Sequence, residues 1–409
     1  MKKWLGLTLG VLSAVGGFVD IGDIVENGLV GARYGMSLTW VIVLGVIGIA
    51  TYAHMSGRIV AVSGRPVYDL VRERLGAKAA LANLVGSLLI TLLTLAAEIG
   101  GVALVIELAT GVDHLVWVLL VGVGLWLVVW RVRFQTMEQT LGFAGLAVAV
   151  FVVAVFCLDP DWGTLGSQVV RVTPPEGEPL PTYLYHAIAL FGSAMTPYEV
   201  FFFSSGGVEE KWSRADLAVV KMNSFVGFPL GGLLGLGIAA ATAAVLLPAG
   251  VQVDNISQVL LPVALSLGGV GLVIGLFGFA ATTVGAALET GLSAGYAVAQ
   301  FFGWEWGKRV RPAGAARFHL AVALSLLAGA LVVQTGVDPV ALTEYSLVFS
   351  AVALPLTYLP VLIVANDTDY LGEHVNGRIS NTLGLLTLVV VVLAAAAAIP
   401  LMIATGAGA

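Results

Sequence analysis

Long apolar runs, each closed by a short polar or charged segment, succeed one another along almost the whole chain. Roughly 20 apolar residues are what a helix needs to cross the hydrocarbon core of a bilayer. Because the runs are continuous, they exclude a membrane β-barrel, whose strands alternate apolar and polar positions. The pattern predicts about eleven spanning helices. They cover about 4–30, 37–57, 79–109, 114–130, 136–157, 182–206, 220–247, 259–300, 318–335, 341–365 and 383–405. Two of these are interrupted, the first near 20–23 and the sixth near 196–198. The eighth is long and glycine-rich, so it is expected to run past the bilayer or to kink at a glycine. The expected fold is an all-α polytopic membrane protein in one transmembrane domain, 1–409.

Composition agrees with that reading. With 58% hydrophobic and 11% charged residues and a mean hydropathy of +0.98, the chain lies far outside the soluble range. Its charges decide orientation. Of the 19 Lys and Arg residues, all but Arg33 and Arg171 fall on one side of the predicted topology. The positive-inside rule therefore predicts a cytoplasmic N-terminus and an external C-terminus in the cell membrane. Lys2-Lys3 before an apolar stretch also has the look of a signal peptide. It lacks a convincing small-residue cleavage site, and its removal would discard part of an acidic motif, so it is read as a retained half-helix. The single Cys157 excludes a disulfide framework and a cysteine metal cluster, and the 5 histidines show no ligand spacing. A net charge of -6 without a basic patch gives nucleic acid no footing. The lipid bilayer is the expected partner; the oligomeric state stays open, a monomer being compatible.

The outer loop 158–181 separates the first five spans (about 4–157) from the next five (about 182–365), leaving an extra helix at about 383–405. Five plus five spans place the halves in opposite orientation, the arrangement of inverted-repeat transporters of LeuT-like fold, whose broken helices face a central site. Aligning the two interruptions sets Asp20-x-x-Asp23 opposite Thr196-x-x-Glu199.

The chemistry of these breaks points to a cation. Pro197 has no N–H, so the Ser193 carbonyl loses its helical partner. Gly16, Gly17 and Gly22 ease departure from helical geometry in the first span. Freed carbonyls at membrane depth need another partner. Asp20 and Asp23, three apart, share a helical face, and intramembrane carboxylates are costly unless paired or wet. No Lys or Arg lies near them in either broken span. Alternatively Asp20 or Asp23 only caps the second half-helix, and Glu199 is only a first-turn acid. Carboxylates, carbonyls, the Thr196 hydroxyl and the Tyr198 phenol are hard donors, suiting magnesium, calcium or manganese. Met195 offers a soft thioether or mere packing. Glu26, Glu98 and Glu289 are candidates for ion access or charge balance, and Glu107 is expected to lie at an interface.

At these residues the chain resembles the NRAMP family of divalent-metal transporters, whose first and sixth helices carry Asp-Pro-Gly-Asn and Met-Pro-His. The corresponding positions read Asp20-Ile21-Gly22-Asp23 and Thr196-Pro197-Tyr198. Similarity extends to Val62–Arg74, Ala97-Glu98-Ile99-Gly100, and Leu354-Pro355 through Gly372–Asn376. The resemblance implies ten helices in two inverted halves plus an eleventh, and alternating access. The metal ligands it implies are Asp20, Asp23, Thr196 and the carbonyls of Gly17 and Ser193. The departures bear on the substrate. The soft methionine is Thr196, the neighbouring histidine is Tyr198, the following asparagine is Glu199, and a second histidine is Phe203. An aspartate of the third helix aligns with Leu95 and a tenth-helix glutamine with Leu347, while Glu98 remains. Asp23 stands where the family has a neutral amide. This pattern is similar to the NRAMP-related magnesium transporters and implies hydrated Mg2+ as the transported ion, with Mn2+ possible and no strict proton coupling. Magnesium keeps several waters.

Other readings stay open: a proton-coupled manganese carrier in which Met195 supplies the thioether, a carrier of small organic substrates, and a non-transporting metal sensor. An intramembrane aspartyl hydrolase lacks a second-helix acid. The expectation is a transporter, not an enzyme, with no cofactor.

Overall fold

The computed structural model describes residues 19–406. Gly17 and the first half of the first span, with its Lys2-Lys3 start, lie outside the described residues. Among the described residues ten helices are long and apolar enough to cross a membrane, and no strand is present. The remaining half-span is α1, Ile21–Tyr34. The chain continues through α2 (Thr39–Ser63), α3 (Val67–Thr110), α4 (His114–Arg131), α5 (Phe134–Leu158) and the short outer-loop helix α6 (Trp162–Val169). The sixth span is two helices, α7 (Leu180–Ala194) and α8 (Pro197–Glu209). Then come α9 (Arg214–Ala249), α10 (Leu261–Phe302), α11 (Ala316–Gln334), α12 (Pro339–Val364) and α13 (Arg378–Thr405).

Local chemistry sets many of these ends. Asp113, Asp161 and Asp338 accept backbone N–H groups at the starts of α4, α6 and α12, using donors a helix start leaves unpaired. Pro339 follows Asp338 at the first helical position, where its missing N–H costs nothing.

One difference from the sequence expectation and one agreement with it concern glycine. The segment before residue 79, expected as a charged loop, is helical from Val67 because Val67, Leu70 and Val71 are buried on one face. Gly76 separates this piece from the span with φ 83°, a value essentially reserved for glycine. The long eighth span does kink, at Gly268, where φ is 63°.

Packing places the breaks in the interior. α3 packs most extensively on α10 and α12, and α1 lies along α9. At Gly31 a Cβ would sit 2.2 Å from the Ala239 carbonyl oxygen, so this position lets α1 and α9 approach backbone to backbone. The outer loop is strapped down as well. Arg33 at the end of α1 pairs with Glu178 at 3.1 Å, and the Met36 N–H donates to Gln168 of α6. α9 contains a π-helical stretch, Asn223–Gly227, near its start.

Candidate metal centre

The described helix of the first span starts at Ile21, with Asp20 extended (φ -111°, ψ -175°) as its N-cap. Asp20 Oδ1 accepts the Asp23 N–H at 2.8 Å. The capping role is therefore real, and it leaves Asp20 Oδ2, which accepts from the Tyr198 hydroxyl at 3.4 Å. The sixth span breaks where Pro197 requires it: α7 ends at Ala194, Met195 and Thr196 leave helical geometry, and Pro197 opens α8.

These breaks meet. The Ser193 hydroxyl donates to Asp23 Oδ1, so α1 and α7 are joined at the first acid pair, and Tyr198 joins α8 to Asp20. Asp23 Oδ2 is buried with no partner. Asp20 and Asp23 are 3% and 4% exposed. Among the described residues no Lys, Arg or His stands within ion-pair distance of Asp20, Asp23, Glu98 or Glu199. Nor do three or more His, Cys, Asp or Glu side chains among them form a group able to hold a metal.

Glu98 is closer to the break than the sequence suggested. Its Oε1 accepts the Ile21 N–H at 3.3 Å, and its other oxygen has no partner. Glu199 Oε2 accepts from the Thr196 hydroxyl at 3.3 Å, so Thr196, 2% exposed, links the centre to Glu199. Glu289 faces the same narrow cleft as Glu199. Met195 turns away: at Gly48 of α2 a Cβ would sit 2.5 Å from its sulfur, which marks the thioether as helix packing. Leu347 lies between the breaks, its side chain 2.7 Å from where a Gly22 Cβ would be and its carbonyl 2.5 Å from a Gly192 Cβ. Leu95 is wholly buried among α3, α10 and α11.

Three features escaped the sequence reading. Asn27 holds the Asp23 carbonyl through its Nδ2 at 2.9 Å. Glu26, wholly buried, meets His186 Nδ1 of α7 at 3.1 Å, although 160 residues separate them; no spacing rule could have paired them. Finally, clefts enter from both ends of the bundle. One, of about 710 Å³, is lined by Arg33, His186, Asp254, Asp338 and Glu344. The opposite one, of about 570 Å³, reaches Glu138, Glu210 and Asn223 and continues into the narrow cleft at Glu199 and Glu289. Glu107 meets His114 at a helix junction, at 2.8 Å.

A first-span helix that starts at Ile21 and a broken sixth span, packed together inside a bundle of membrane-length helices, mark an integral membrane protein of LeuT-like fold. Solved structures share that fold. The Eremococcus coleocola manganese transporter, in complex with an aromatic bis-isothiourea substituted compound, superposes with a TM-score of 0.70 at 17% identity, covering 95% of this chain and 84% of that one. Mhp1, a nucleobase-cation-symport-1 family transporter in a closed conformation, gives 0.61 at 15% identity, covering 96% and 92%. The family itself is shown by sequence. The profile described as natural resistance-associated macrophage protein-like matches residues 10–400, and the chain belongs to this Nramp family. Relatives include proteins named divalent metal cation transporter MntH. That of Yersinia pestis (strain Pestoides F) is 23% identical over 388 residues, 92% of this chain and 90% of the relative. That of Pectobacterium carotovorum subsp. carotovorum (strain PC1) is 24% identical over 387 residues, 92% and 89%.

Proposed function

We propose that this chain carries divalent metal cations across the cell membrane by alternating access, with hydrated Mg2+ as its main cargo and Mn2+ as a second. The observation that carries the proposal is the meeting of the start of α1 with the break of the sixth span. Two buried carboxylates, Asp20 and Asp23, are joined to α7 and α8 through Ser193 and Tyr198, with one Asp23 oxygen unpartnered and, among the described residues, no cationic side chain beside them. Carboxylates so placed cost several kcal/mol at membrane depth, and a divalent ion offsets that cost. The names of the MntH relatives support the general class.

In this reading Asp20, Asp23, the Thr196 hydroxyl and the Ser193 carbonyl hold the ion, together with the carbonyl of Gly17. Tyr198 orients Asp20. Glu199, through Thr196, and Glu98, at the Ile21 N–H, balance charge around the centre, and Glu289 and Glu26 line or border the access routes. The ligands are hard, and the one nearby thioether, Met195, is spent on packing against Gly48. Hard oxygen ligands and outer-sphere contacts suit an ion that dehydrates reluctantly. Leu95 and Leu347 stand where titratable or polar groups would serve a proton relay, which favours uncoupled entry. A divalent ion moving inward gains about 4.6 kcal/mol at 100 mV, inside negative. The two five-span halves act as inverted repeats around this site, with the N-terminus cytoplasmic and the C-terminus outside. The cleft bearing Arg133, Lys308 and Arg309 is then the inner one.

The manganese relative of the same fold motivates one rival, a proton-coupled Mn2+ carrier. Uptake into proteoliposomes under an inside-negative potential, with Mg2+ and internal pH recorded together, separates the two. Mg2+ entry without matching acidification, abolished by Asp20→Asn in folded protein, is the expected result. Mn2+ entry with acidification, no Mg2+ entry, and Cd2+ or Fe2+ outcompeting Mg2+ at micromolar levels refutes the proposal.

A further inference from the structure

The inner cleft narrows at a constriction built from three elements that are distant in sequence. Glu138 comes from the first turn and a half of α5, Glu210 from the residue that follows α8, and Asn223 from the π-helical stretch of α9. All three line both the wide mouth and the narrow extension that leads to Glu199 and Glu289. The Glu138 and Glu210 side chains lie within hydrogen-bonding reach of each other. Carboxyl groups in contact cannot both remain charged without something between them, so they share either a proton or a cation.

Further observations bear on which. Asn223 is 6% exposed, yet its Oδ1 accepts no hydrogen bond. A buried amide oxygen left unpartnered costs about 1–3 kcal/mol and signals a missing donor or ion. A proton shared by the two glutamates would leave Asn223 Oδ1 unserved; a cation between the three groups serves all of them. Glu210 is fixed at the constriction by the Trp212 indole, which donates to its Oε2 at 2.9 Å. π-helical turns, moreover, gather at functional positions because they re-aim side chains out of the regular helix.

We infer that Glu138, Glu210 and the Asn223 amide oxygen form a second divalent-cation site, an inner station where a hydrated ion pauses between the central acids and the cytoplasmic mouth. The inference rests on the transport reading above in taking the cleft as the ion's inner route. Two carboxylates and one amide oxygen leave the remaining coordination positions to water, as Mg2+ and Mn2+ prefer. The basic side chains of Arg133, Lys308 and Arg309 at the mouth favour release over tight retention.

Counting bound Mn2+ by electron paramagnetic resonance on the purified full chain tests this directly. The wild type is expected to bind two equivalents and Glu138→Gln/Glu210→Gln one, with the remaining ion still lost on adding Asp20→Asn. Asn223→Asp, which adds a charge without removing either glutamate, is expected to tighten the weaker site about tenfold or more, one added charge-assisted contact, and slow Mn2+ release into the lumen of right-side-out vesicles. It guards against a double variant that fails to fold. An unchanged Mn2+ count in the folded double variant, or an unchanged weak-site affinity in Asn223→Asp, overturns the inner site. Asp20→Asn alone is the separate arm: if it keeps both equivalents, the central assignment falls while the inner site is still read by the glutamate variants.

Discussion

Replacing Asp23 by asparagine removes one formal charge from the centre while keeping the side chain's shape and an oxygen for the Ser193 hydroxyl. At ~5 Å, across one water, a unit charge and a divalent ion attract by about 6–7 kcal/mol at an effective dielectric constant of 20. Most of that is cancelled, because the carboxylate had to leave water and the amide oxygen still coordinates. What remains is the excess of a charge-assisted contact over a neutral one, about 1.5–3 kcal/mol, or roughly 10- to 150-fold in Mg2+ affinity. The metal-free protein should respond in the opposite direction. Wild type buries Asp23 with one oxygen unpartnered and Asp20 beside it, a cost that asparagine lowers. Asp23→Asn is thus expected to weaken Mg2+ binding by calorimetry and Mg2+ flux in proteoliposomes, yet to melt higher than wild type in chelator. In millimolar Mg2+ the difference in melting should shrink or reverse, since bound ion stabilises the wild type more. Unchanged Mg2+ affinity with unchanged melting in both conditions would refute the reasoning.

Other perturbations read other parts of the molecule. Thr196→Met places a thioether at the break where Met195 does not reach; competition by Cd2+ for flux should strengthen by tenfold or more, and unaltered competition counts against Thr196 as a ligand. His186→Ala strands Glu26, which is wholly buried and has one oxygen already without a partner. A loss of roughly 2–5 kcal/mol is expected, seen as a lower melting temperature that Glu26→Gln partly restores. Gly76→Ala meets no atom within 4 Å but forces φ of 83° on a residue with a Cβ, so it should cost about 1–3 kcal/mol through the backbone alone. A thermal melt equal to wild type would show that the helix from Val67 can shift to relieve the strain.

The sequence by itself determined the features that local chemistry controls. The spans follow from runs of apolar residues that only a bilayer or a protein interior satisfies. The break at 195–197 follows from a proline without an N–H, and the helix start at Ile21 from an acid that caps a helix more readily than it continues one. That Thr196 and Tyr198 hold the motif positions was legible as well. Tertiary structure alone decided what depends on side chains brought together across the fold. It seated Glu98 on the Ile21 N–H, and turned Met195 toward Gly48. It set Leu347 between the two breaks. It also paired Glu26 with His186 and Glu138 with Glu210, contacts between helices far apart in the chain. The difference is physical. A cap or a proline acts within one helical turn, whereas a buried acid's partner is chosen by whichever helix packs against it, and that choice belongs to the whole bundle.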